Sequence, residues 1–139
     1  MNRDPLSIDV LMAKAETACS SARVLLELGD VDGASNRANY AMFDAARAAL
    51  LASGEGAVGP ADPGRTHSGL IGGFGLHLVK SGKVSREMGR LLNRAHEIRQ
   101  VADYKAESVE LEDARELVDQ AEVFVGNMRA AFLPDSPAS

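Results

Sequence analysis

Five alanines, Ala34, Ala38, Ala41, Ala45 and Ala48, recur at intervals of three and four residues between Asp32 and Ser53. At about 100° per residue this spacing draws one ridge of small side chains along a helix. Such a ridge lets a neighbouring helix approach closely. Tyr40, Met42, Phe43, Leu50 and Leu51 make other sides of the same helix apolar, which puts it at the centre of a bundle. The composition agrees. The chain is 45% hydrophobic but only 4% aromatic, alanine and leucine dominate, and β-branched residues are scarce, a balance that favours helices. Its 139 residues suit one domain with one core.

Four further helical segments follow from spacing. The first runs from about Ser7, a plausible N-cap, to Leu28. Ile8, Leu11, Met12, Ala15, Cys19, Ala22 and Leu26 recur along it, and Gly29 stops it. After the alanine-ridged helix comes GEGAVGPADPGRT, residues 54–66, whose four glycines and two prolines predict a mobile loop. It lacks the Lys-Ser/Thr ending of a phosphate-binding loop, and no strand pattern precedes it. A third segment, Thr66 to Ser81, carries Leu70, Ile71, Phe74 and Leu78 in helical register. Gly69, Gly72, Gly73 and Gly75 each weaken it by roughly 1 kcal/mol relative to alanine, so an irregular helix is expected. A fourth starts after Ser85 and ends near Asp103. A fifth starts near Ser108 and places Ala114, Leu117, Val118, Ala121, Phe124, Val125 and Met128 at core spacing. The expected fold is all-α, an antiparallel up-and-down bundle of four to five helices, with one domain over 1–133 and a short tail over 134–139.

Charge is segregated. Lys80, Lys83, Arg86, Arg90, Arg94 and Arg99 face only Glu87 and Glu97, whereas residues 107–122 carry seven acidic side chains and one Arg115. The net charge of −5 excludes a generic polyanion binder, yet one basic helix can engage a phosphate backbone locally. The alternative is a solvated face neutralised by its acidic neighbour. Arg37, Tyr40 and Asp44 share one face of the second helix and form a possible polar wall opposite Arg99. His67, His77 and His96 have no metal-ligand spacing, so neither a metal nor another cofactor is expected. The single Cys19 is read as a core residue. No apolar run approaches the roughly 20 residues that span a bilayer, and the charged N-terminus does not resemble a signal peptide. The expected location is the cytoplasm.

Arg99 is the residue that the pattern does not absorb. Met88, Leu92, Ala95 and Ala102 line the apolar face of the fourth helix, with Leu91 and Ile98 at its edge. Arg99 projects about 20° from Met88 by the same rule. A guanidinium there must be paired, snorkel outward, or face a cleft.

SNRANYAMFDAARAALL (35–51), THSGLIGGF (66–74), LVKSGKVSREMGRLLNRAHEIRQVADY (78–104) and the acidic last helix together resemble the HEPN superfamily, over about residues 7–130. The resemblance implies a helical bundle that dimerises, often in toxin–antitoxin or defence modules beside a small nucleotidyltransferase. Active members are metal-independent endoribonucleases. Their motif is an arginine, four to six residues, then a histidine, with two copies meeting in a cleft between subunits. Carried over, Arg99 matches the motif arginine and looks into that cleft, with Arg37 and Asp44 as supports on the facing helix. The motif histidine is replaced by Tyr104. A phenol, at about 10 in free tyrosine, is a poor base at pH 7, and a carboxyl such as that of Asp103, at about 4, is a weak one. His96 lies one turn upstream.

Two functions stay open. One is RNA or nucleotide binding in a cleft of Arg99, Tyr104 and Asp103, with Arg37, Tyr40, Asp44, Arg94 and His96 contributing, and with endoribonuclease activity as its catalytic form. The other is a non-catalytic subunit that docks a nucleotidyltransferase, with Arg99 as an ion-pair anchor and Tyr104 as a site of modification.

Overall fold

The computed structural model describes residues 7–54, 66–105 and 108–133, with the backbone alone at His67. The expected tail over 134–139 and all but the ends of the loop predicted over 54–66 lie outside the described residues. Those described form a bundle of five helices, with no strand among them.

Helix α1 is Ile8–Glu27. The Ser7 hydroxyl accepts from the Val10 amide at 3.2 Å, which satisfies one free donor of the first turn. Gly29 ends it at a φ of 86°. That left-handed turn lets the Asp30 amide donate back to the Leu25 carbonyl at 2.9 Å. Helix α2 is Val31–Ala52, one residue earlier than the sequence predicts, because Asp30 caps it by accepting from the Gly33 amide at 2.9 Å. All five ridge alanines of α2 are fully buried, as are Ala46 and Ala49. Helix α2 packs most extensively on α1, then on α5, and touches α3 and α4 at its remaining sides. The central position read from its composition is the observed one.

The third segment, expected as an irregular helix over 66–81, changes pitch part-way. Helix α3 is His67–Phe74, capped by the Thr66 hydroxyl, which accepts from the Gly69 amide at 2.9 Å. Residues Gly75–Val79 then widen into a π-helical turn, closed by the Lys80 amide donating to the Gly75 carbonyl at 2.9 Å. Leu70, Phe74 and Leu78 stay buried through the change, and the glycine-rich backbone lowers its cost. Helix α4, Arg86–Lys105, passes against this turn. Gly89 makes the approach possible, since a Cβ there would stand 3.1 Å from Val79 Cγ2. Helix α4 also runs past its predicted end near Asp103.

Helix α5 is Leu111–Phe132, not the helix from Ser108 that the sequence predicts. The reason is Asp32 in the first turn of α2. It accepts from the Ser108 hydroxyl at 2.8 Å and the Val109 amide at 3.0 Å, and so holds residues 108–109 against α2. All seven predicted core positions of α5 are buried. Phe74 and Phe124 meet with ring centroids 5.6 Å apart. Arg23 of α1 fastens α5 from outside, donating to both carboxylate oxygens of Glu122 at 3.0 and 2.7 Å and to Asp119 at 2.7 Å.

The ridge generates a stability prediction. Ala45→Leu forces three extra carbons into a closed helix contact and destabilises the fold by about 1–3 kcal/mol. The same change at exposed Ala130 stays within about 0.5 kcal/mol. Urea unfolding of the two variants checks this, and equal midpoints would mean that the ridge is not close-packed.

Candidate functional site

Arg99 sits where α4 crosses α2. Its side chain is 23% exposed, so it neither enters the core nor reaches freely into solvent. It donates to the exposed Asp103 carboxylate at 3.0 Å, one turn onward on α4. A cavity of about 230 Å³ opens in front of it, walled by Asn36, Asn39 and Tyr40 from α2 and by His96, Gln100 and Asp103 from α4. Asn39 also donates to the Ala95 carbonyl at 3.3 Å and so ties the two walls together. Asp32, one turn before Asn36, feels the Arg99 charge. The Val109 amide, the Ser108 hydroxyl and that guanidinium together hold its carboxyl below the usual carboxylate range.

The structure divides the residues singled out in the sequence. His96, Arg99, Asp103 and Tyr40 border one cavity. Arg37 and Asp44 do not. They turn toward α1 and, with Tyr40, border a second groove of about 630 Å³ between α1 and α2. Tyr40 is the residue common to both. Arg94 borders a third hollow, near Val101 and Asp113, and its guanidinium lies 3.9 Å from Glu116 of α5. Tyr104 lines none of the three and is 91% exposed. Arg99 is paired on its own helix with Asp103 and not with Asp44 across the bundle.

Asn36, Asn39 and Asp32 are members of the Arg99 environment that the sequence did not single out. The signal was present. Asp32, Asn36 and Tyr40 are spaced by four residues, and Asn39 falls on the same side. A second polar stripe thus runs along α2 beside the Arg37–Tyr40–Asp44 stripe and shares Tyr40 with it. Lys14 of α1, which borders the larger groove, was likewise missed.

Charge settles differently from the simple neutralisation of α4 by α5. Asp119 and Glu122 are engaged by Arg23 of α1, and Glu112 faces Arg115 on its own helix at 3.4 Å. Arg94 to Glu116 is the α4–α5 ion pair among the described residues. Lys80, Lys83 and Arg86 make no ion pair among them, whereas Arg90, Arg94 and Arg99 of α4 are each held by a carboxylate. No group of three or more His, Cys, Asp or Glu side chains among the described residues could hold a metal ion. No helix among them is long and apolar enough to cross a membrane.

Residues 8–130 match the family model of the HEPN domain. The chain is 32% identical over 125 residues to a protein of Methanocaldococcus jannaschii named as a candidate toxin, covering 90% of this chain and 88% of that one. It is 33% identical to a UPF0332 protein of Thermotoga maritima, over 90% of both chains. A UPF0332 protein of Gloeobacter violaceus is 34% identical over 83% of this chain and 87% of its own.

Asp44 yields a pH prediction. Burial pushes its carboxyl above the usual range, and Lys14 and Arg47 offset this only in part. A raised folded-state value means that ionised Asp44 weakens the fold at neutral pH. The penalty shrinks as pH falls through that value and vanishes below about 4, where the group is neutral folded or unfolded. Asp44→Asn therefore raises the unfolding midpoint at pH 7 and leaves it unchanged at pH 3.5. A gain independent of pH would exclude charge burial as the cause.

Proposed function

We propose, from the premise that this chain belongs to the HEPN domain family, that it is the toxin-like member of a toxin–antitoxin or defence module and binds RNA at Arg99. The observation that carries this is the placement of Arg99: partly buried, between amide and imidazole side chains, and held by one exposed carboxylate. A phosphodiester competes well for such a guanidinium, because its two non-bridging oxygens accept two parallel hydrogen bonds where Asp103 takes one. Lys80, Lys83 and Arg86, outside any ion pair among the described residues, add cations around the start of α4 for a phosphate backbone. A relative named as a candidate toxin, matched over nearly its whole length, supports the biological setting. We place the protein in the cytoplasm, where its RNA would be met.

The catalytic form of this reading is metal-independent cleavage by the RNA's own 2′-hydroxyl. That oxygen attacks the adjacent phosphorus, the bond to the 5′-oxygen breaks, the departing oxygen takes a proton from water to leave as a 5′-hydroxyl, and a 2′,3′-cyclic phosphate forms. Arg99 faces the phosphorane charge. His96, in the same cavity, is the base for the 2′-hydroxyl proton, a task for which exposed Tyr104 is poorly placed. The second copy in a homodimer completes the cleft. Tyr40, 57% exposed, supplies part of an apolar border for it to cover.

A second reading rests on Tyr104. A phenol 91% exposed at the end of a helix is an accessible group for a partner enzyme, and it favours a non-catalytic subunit docked to a small nucleotidyltransferase.

RNA binding and cleavage in EDTA decide between them. Arg99→Ala is expected to weaken RNA binding roughly tenfold or more and to lower the salt dependence by about one phosphate contact. Cleavage lost in both Arg99→Ala and His96→Gln supports the ribonuclease. Binding that is insensitive to Arg99→Ala, with no cleavage, leaves the docking reading standing.

A further inference from the structure

The larger groove, between α1 and α2, is separate from the Arg99 cavity. Its floor is apolar, with Val10, Ala13 and Phe43. Its volume of about 630 Å³ falls within the roughly 300–1,000 Å³ of small-molecule sites. Lys14 stands on the α1 wall and Arg37 on the α2 wall, and neither is ion-paired among the described residues. That contrasts with Arg23, Arg94, Arg99 and Arg129, each held by a carboxylate. Asp44 lies in the same groove, half-buried, and no described residue hydrogen-bonds to its carboxylate. An apolar floor, a lysine whose charge acts on Asp44, an arginine outside any ion pair among the described residues and a carboxylate that accepts no hydrogen bond from them are complementary to a ligand that is planar, anionic at one end and a double donor at the other.

We infer that this groove binds a guanine nucleotide, with Asp44 reading the base and Lys14 and Arg37 holding the phosphate. Guanine presents N1–H and the 2-amino group side by side, and the two oxygens of one carboxylate match them as acceptors. Adenine offers an acceptor where guanine offers N1–H, so it leaves one carboxylate oxygen unpaired. Tyr40, more than half exposed, supplies a face on which the base stacks. Asp44 borders the groove and accepts no hydrogen bond from the described residues, and an incoming pair of donors would supply the bonds that the fold does not provide.

The source of the nucleotide is either a free mononucleotide or a guanine within a single strand that continues past Tyr40 to Arg99. Titration calorimetry of the whole chain with GMP and AMP, and with uridine oligomers bearing one central guanine or none, separates these. GMP is expected to bind at least roughly tenfold more tightly than AMP. Binding of the guanine oligomer alone, with none of GMP, assigns the strand as the source. The discriminating variant is Asp44→Asn. Its amide offers one acceptor and one donor, which fits xanthine, whose 2-position is a carbonyl. Preference is expected to switch from GMP to XMP, an outcome that a purely structural role for Asp44 would not produce. Lys14→Ala and Arg37→Ala are expected to weaken GMP but leave guanosine binding unchanged. Equal affinity for GMP and AMP, or loss of GMP binding in Asp44→Asn without the gain of XMP, would overturn the assignment. So would the absence of any guanine-dependent binding. Loss of GMP binding in Arg99→Ala would merge this groove with the other cavity, whereas loss of RNA cleavage alone would leave it standing.

Discussion

Close approach along the alanine face of α2 is the constraint on which the rest of this structure depends. With Ala34, Ala38, Ala41, Ala45 and Ala48 fully buried, α2 can accept neighbours on nearly every side and still present a polar edge. The small side chains bring α1 and α5 near, and dispersion contacts and removal of apolar surface from water act over the whole helix length. What remains of α2 is a narrow outward strip that begins at Asp32 and ends at Asp44. Both cavities with chemistry in them open along that strip. Larger residues on the buried side would spread the bundle and change the width of the grooves on the other.

Charge follows from the same arrangement. The acidic face of α5 is turned to α1, where the forked guanidinium of Arg23 meets two carboxylates at once. On α4, Arg90, Arg94 and Arg99 are each held by a carboxylate, Arg99 at the crossing with α2. The outcome is a chain of net negative charge whose cations outside ion pairs, Lys80, Lys83 and Arg86, gather around the start of α4. Sequence proximity of opposite charges, as between residues 80–99 and 107–122, does not fix which of them meet.

The helices were legible because burial repeats with the helical period, and α5 shows this best: each of its seven predicted core residues is buried. The misplaced ends have local causes that periodicity does not carry. The start of α5 was read too early because Ser108 looks like a cap, whereas its hydroxyl is taken by Asp32, 76 residues earlier. The π-helical turn at 75–79 could be foreseen as an irregularity from its glycines, but not as an added residue per turn. For the site, the sequence identified Arg99 as a cation out of place, and the structure gives it surroundings. It placed Arg37 and Asp44 opposite Arg99 because one helix face spans about a third of a turn. The two edges of that face look in different directions, and a pattern along one helix does not say which neighbour lies beyond each edge.

Tyr40 stands between the two cavities and borders both. A side chain shared as a wall couples two volumes when its rotation widens one and narrows the other. Two occupants would then be thermodynamically linked even without touching. Whichever binds first would select the rotamer that the second must accept, and the coupling would be equal in both directions. A single side chain with two torsions is thus the smallest unit in this bundle through which one surface can report on another.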